Sequence, residues 1–70
     1  MAIENRYDVI TRINEHYGKM SKGQKAISAF IYDHYDQAVF MTAARLGETV
    51  GVSESTVVRY AMFIGYNGYP

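Results

Sequence analysis

The sequence predicts an all-α fold, a small bundle of four to five helices containing a helix-turn-helix, and three observations carry that expectation. Apolar residues recur at three- and four-residue intervals along the chain, the period of an amphipathic helix. Ser21, Thr42 and Ser53 stand where N-caps belong, and Gly18, Gly51 and Gly65 stand where helices end. The chain has 70 residues, 49% of them hydrophobic, and no Cys. That is enough for one core and no second domain, and a chain of this length buries only about 60% of its unfolded surface. Without disulfides, well-packed helices or a partner must hold it. The missing Cys also removes thiolate zinc sites and a thiol nucleophile.

The elements follow in order. Ile3, Tyr7, Ile10, Ile13 and Tyr17 recur at spacings of four, three, three and four, which predicts a helix over about 3–17 with Gly18 as its stop. Ser21 with Gln24 forms a capping box that opens a helix over about 22–35, whose apolar stripe is Ile27, Phe30, Ile31 and Tyr35. Residues 36–41 fit either a short helix or an apolar connection that packs Val39 and Phe40 into the core. Thr42 caps a helix over 43–50, with Met41 and Leu46 placed as a hydrophobic staple, and Gly51 ends it. Ser53 caps the last helix, over about 54–64, with Val52 and Val57 in the same staple relation and Gly65 closing it.

Two short helices joined by a Gly-containing bend are the helix-turn-helix layout, in which the helices meet at roughly 90–120°. Leu46, Val52, Val57 and Tyr60 supply its inner faces, and Gly51 tolerates the left-handed conformation of the turn. Gly47 stands where many such motifs have Ala; it allows close approach and costs about 1 kcal/mol of helix propensity relative to Ala. Ordinary helical corners also carry caps and staples, so the bend alone does not assign DNA binding.

Seven Lys+Arg balance seven Asp+Glu, so net charge gives no general attraction to nucleic acid or a membrane surface. The placement is uneven. Lys19, Lys22 and Lys25 form a basic stretch without an acid, Asp33 and Asp36 follow as an acidic one, and Arg45 and Arg59 balance Glu48 and Glu54 in the C-terminal half. The basic stretch is equally suited to a solvated face or to phosphate.

From Met41 to Tyr69 the chain carries Leu46, Gly51-Val52-Ser53, Thr56-Val57, Arg59-Tyr60 and Gly65-Tyr66-Asn67-Gly68-Tyr69. In this order these elements resemble the N-terminal helix-turn-helix domain of the RpiR family of bacterial transcriptional regulators. The upstream helices fit as well, so the resemblance covers nearly the whole chain. It implies that residues 1–70 are a single DNA-binding domain of a cytoplasmic regulator, acting on double-stranded DNA as a homodimer and controlling sugar or phosphosugar metabolism genes. It further implies a sugar isomerase (SIS) effector domain that is absent from this sequence, with any phosphosugar effector site on that missing domain.

Helical phase divides the roles within the motif. Val57, Tyr60, Ala61 and Ile64 face the core. Glu54, Ser55, Val58 and Arg59 face outward, where a recognition helix presents its first turns to base edges in the major groove. Arg59 is the strongest candidate, since a guanidinium binds guanine O6 and N7 in a bidentate manner; the competing reading is an intrahelical bond or solvent exposure. Glu54 fits a cytosine amine or the rim, and Val58, like Met62, a thymine methyl or a dimer partner. Lys22, Lys25, Arg45, Ser53, Thr56 and Asn67 are the candidate phosphate contacts.

Other chemistry finds no support. His16 and His34 lack metal-ligand spacing, Asp33 and Asp36 lack a partner base, and the glycines make no phosphate-cradling loop. The expectation is therefore no enzyme, no metal and no cofactor. The apolar runs fall far short of the roughly 20 residues that span a bilayer, and no signal peptide is visible at Met1. The alternative to DNA binding is a helical protein-interaction or dimerisation module that uses exposed Tyr and Met residues and has no DNA affinity.

Overall fold

Side-chain caps set where the helices begin. Ser21 Oγ accepts from the Gln24 amide at 3.3 Å while the Ser21 amide donates to Gln24 Oε1 at 2.8 Å, a complete capping box. Thr42 and Ser53 each accept, at 3.1 Å, from the amide three residues on. The computed structural model describes residues 6–68, and within them these caps open three of five α-helices: α1 (Arg6–His16), α2 (Lys22–Asp33), α3 (Tyr35–Ala38), α4 (Ala43–Val50) and α5 (Glu54–Phe63). A 3-10 turn, Tyr17–Lys19, joins α1 to α2. The all-α bundle with its helix-turn-helix, α4 and α5, is as the sequence predicts.

The first half departs from expectation in three places. The face of α1 is carried by Val9 and Ile13, both fully buried, with Ile10 packed at their edge. Tyr7 is 83% exposed and Tyr17 is exposed too, while Ile3 lies outside the described residues. Ile10 and Ile13 of the expected stripe do pack inward, but Val9, an aliphatic side chain without a hydroxyl, takes the place beside them that the stripe gave to Tyr7. Gly18 is not a left-handed stop: α1 instead tightens into the 3-10 turn, closed by the Met20 amide on the Tyr17 carbonyl at 3.1 Å. Residues 36–41 contain the end of a short helix, but Phe40 is 89% exposed, and Ala38 rather than Phe40 enters the core. His34, at φ −135° and ψ 44°, breaks the chain between α2 and α3, so the second helix stops at Asp33 rather than near 35.

Ile27 and Ile31 of α2, Leu46 of α4, and Val57, Tyr60 and Ile64 at the C-terminal end complete the core begun by α1. Packing between α4 and α5 is the most extensive of any helix pair, and α2 lies against both. The exposed face of α5 is thereby fixed relative to the start of α2.

Candidate nucleic-acid interface

The bend between α4 and α5 is built from backbone. The Gly47 carbonyl accepts from the amides of Gly51 at 2.8 Å and Val52 at 2.9 Å, and Gly51 takes φ 85°, the left-handed conformation that glycine adopts without steric cost. Gly47 itself is buried, and a Cβ there would lie 2.7 Å from the Val52 carbonyl oxygen. The close approach expected at Gly47 is therefore present, and it is made to the turn backbone itself. The structure adds that alanine, the common residue at this place, does not fit, because the turn backbone occupies the space of its methyl.

From this bend α5 projects its first turns into solvent. Ser53, Glu54, Ser55, Val58 and Arg59 line one shallow concavity. Glu54, Ser55 and Arg59 are exposed, whereas Val58 is half-buried and also touches the core. The sequence-predicted base-edge residues are thus brought together on one surface. Ser53 Oγ sits 2.8 Å from Thr56 Oγ1 and 3.2 Å from Ser55 Oγ, so the cap is the centre of a hydroxyl cluster. Thr56 bonds to the cap rather than back to a carbonyl. Arg59 donates to Thr56 Oγ1 at 3.5 Å, the outer limit of a hydrogen bond, and among the described residues no ion pair holds it. Glu54 occupies the first turn, where its charge complements the positive end of the helix dipole.

The phosphate candidates are dispersed. A Cβ on Gly23 would come within 3.5 Å of Val52 Cγ1, so the start of α2, with exposed Lys22, stands beside the bend that launches α5. Lys25 is exposed with its Nζ 5.1 Å from the centre of the Tyr17 ring. Arg45 lies on the outer face of α4, 3.5 Å from Glu48, a pair too exposed to hold it firmly. Asn67 is exposed beyond the end of α5, Tyr66 packs against the core edge, and Tyr69 lies outside the described residues.

The hidden face of α5 is tied down by groups that carried no functional reading in the sequence. The Tyr60 hydroxyl meets Ser28 Oγ at 2.8 Å in the core, and Ser28 also donates to the Gln24 carbonyl at 3.1 Å. Burial raises the Tyr60 phenol to about 12, the bond to Ser28 opposing this in part. A serine within the Ile27–Ile31 stripe was the available signal, since a polar residue on a buried face requires a partner. Arg12 crosses from α1 to donate to the Gly65 carbonyl at 3.1 Å and lies 4.4 Å over the Tyr66 ring. Nothing local in the sequence marks that contact.

The histidines have structural surroundings. His16 Nδ1 is 2.8 Å from the Arg12 carbonyl and its ring meets Phe63 edge-on, while His34 lies against Phe30. Among the described residues no group of acidic or histidine side chains is placed to hold a metal ion, and no helix is long and apolar enough to cross a membrane.

Comparison with known proteins agrees with this geometry. Residues 7–70 match the family model described as the helix-turn-helix domain of the rpiR family. An uncharacterized HTH-type transcriptional regulator of Escherichia coli, YfhH, is 30% identical over 61 residues, 87% of this chain and 22% of that protein. A second uncharacterized HTH-type transcriptional regulator, from the aarA 3' region of Providencia stuartii, is 35% identical over 46 residues, 66% of this chain and 16% of that protein. The chain therefore spans about a fifth of the length of these relatives. No solved structure matches it.

Proposed function

The chain belongs to the rpiR family of helix-turn-helix domains, and on that premise we propose that α5 is its recognition helix, reading base edges in the major groove. A helix-turn-helix domain of a transcriptional-regulator family is a DNA-binding module and not an enzyme. One observation carries the finer reading: Glu54, Ser55, Val58 and Arg59 converge with Ser53 on one solvent-facing concavity at the start of α5. Arg59 is the group with the reach and fork geometry to discriminate a base, worth about 1–3 kcal/mol against a wrong one. Lys22 flanks the same end of α5 and positions the domain on phosphate, supported by Ser53 and Thr56 at the helix start and by Lys25, Arg45 and Asn67 at the margins.

The longest dimension of the domain is 25 Å, less than the roughly 34–36 Å between successive major-groove faces. One copy reads one half-site, and a homodimer reads two. With zero net charge, non-specific attraction is weak, so pairing and base contacts carry the affinity. The wider regulator is cytoplasmic, acts on sugar or phosphosugar genes, and senses its effector on an SIS domain outside this sequence; these parts rest on the family resemblance.

The test is a titration of the chain, alone and as a tethered dimer, against duplexes selected from random sequence. Affinity is expected to fall as salt rises. Arg59→Ala relaxes preference at one position by about 1–3 kcal/mol, whereas Lys22→Ala weakens all duplexes alike and lowers the salt slope by about one. Absence of salt-dependent binding in both forms would leave the protein-interaction reading, which the exposure of Phe40 at 89% and Tyr7 at 83% favours.

A further inference from the structure

The C-terminal end of α5 has no basic residue in its own last turn, and its Tyr60, Ala61 and Met62 carbonyls are closed by the amides that follow, so a cation favoured by the negative dipole end has to come from another element. Arg12 supplies it from α1. Its Nη1 donates to the Gly65 carbonyl at 3.1 Å and reaches the Ile64 carbonyl at 3.5 Å, contacts 53 and 52 residues distant in sequence. The same guanidinium lies 4.4 Å over the Tyr66 ring, and Asp8, one turn back on α1, holds its Nε at 3.5 Å. Gly65 completes the fit: at φ 108° it has the backbone conformation glycine favours, and a Cβ there would fall 2.5 Å from Arg12 Nη1.

Resting on the reading of α5 as recognition helix, we propose that Arg12 is a positioning residue for DNA discrimination, clamping the far end of α5 onto α1 and so fixing the angle at which the outer face meets a groove. The physical case lies in the combination of contacts. A planar cation bonded to the Gly65 carbonyl and stacked on the Tyr66 ring, with looser contacts to Ile64 and Asp8, restricts orientation more than a flexible ammonium would. The inward side chains of α5 hold it against the core along its length, and Arg12 adds a contact from α1 at the end opposite the outer concavity.

Two measurements on the chain test this. Amide exchange at Ile64, Gly65 and Tyr66, whose amides bond to Tyr60, Met62 and Ala61, reads the clamp without DNA. In Arg12→Met these amides are expected to exchange about tenfold faster relative to those of Ile31 and Leu46, as loss of a charge-assisted hydrogen bond implies, with Arg12→Lys intermediate. An equal rise at all of them would mean bulk stabilisation only and overturns the proposal. The DNA arm compares a selected duplex with a scrambled one: discrimination falls several-fold in Arg12→Met with the salt slope unchanged. A slope lowered by about one instead makes Arg12 a phosphate contact and overturns positioning. A wild-type chain that binds no duplex overturns the reading of α5 and with it the discrimination half, and the exchange ratio still decides the clamp.

Discussion

At Gly47 two opposed effects can be weighed. Alanine would gain about 1 kcal/mol of helix propensity in α4, but its methyl would press on the Val52 carbonyl at 2.7 Å, and overpacking of this kind costs roughly 1–3 kcal/mol. Because the obstacle is backbone, it yields only by moving the turn. Gly47→Ala is expected to lower stability by about 1 kcal/mol in urea unfolding; a stabilised variant would show that the turn shifts freely. The Ser28–Tyr60 pair makes a second comparison. Tyr60→Phe leaves Ser28 bonded to the Gln24 carbonyl and costs about 1 kcal/mol, whereas Ser28→Ala strands a buried phenol and costs about 1–3 kcal/mol. The serine, the smaller residue, is expected to give the larger fall in the denaturation midpoint. Neither magnitude is legible in sequence, because both depend on which atoms lie within 3 Å across the core.

Among the elements, α4 and α5 are the most legible. Their starts coincide with the expected 43 and 54 because Thr42 and Ser53 bond amides only three residues away, a local interaction that sequence spacing specifies. Removing the second cap, Ser53→Ala, is expected to cost about 1 kcal/mol and lower the melting temperature by about 4–8 °C, read by circular dichroism. The same side chain organises Ser55 and Thr56, so DNA affinity should fall with it. Helix α1 is less legible for a physical reason. With Tyr7, Val9, Ile10, Ile13 and Tyr17 all apolar, its period is clear but its phase is not, and the phase is chosen by what α1 packs against. The break at His34 is similar: Tyr35 continues the stripe of α2, yet the chain bends before it to bring Ala38 inward.

For the whole molecule, the buried Tyr60 hydroxyl couples the fold to pH. Burial pushes the Tyr60 phenol up to about 12 from its ordinary value near 10, so the folded state keeps a proton that the unfolded chain loses. Stability from this group is complete below pH 10, declines between 10 and 12, and is gone above; the span amounts to about 2–3 kcal/mol at 1.36 kcal/mol per unit. Wild type should therefore lose stability between pH 9 and 11.5 more steeply than Tyr60→Phe in denaturant titrations. Parallel curves for the two would remove Tyr60 as the source. The neutral charge balance has a molecular consequence as well. Lys22 opens α2 beside the bend that launches α5, whereas Asp33 ends α2 and Asp36 follows it, so the positive and negative charges of the first half stand at opposite ends of one helix.

The sequence by itself determined the helical class, the caps and bend of the helix-turn-helix, the inward set Val57, Tyr60, Ala61 and Ile64, and the family, because each is written in spacings of three to four residues or in a contiguous motif. Only the tertiary structure decided which stripe of α1 is buried, that Gly47 is held by the turn backbone, that Ser28 partners Tyr60, and that Arg12 closes the end of α5. Those contacts join residues tens of positions apart, and a chain specifies them through mutual packing, which no local pattern encodes.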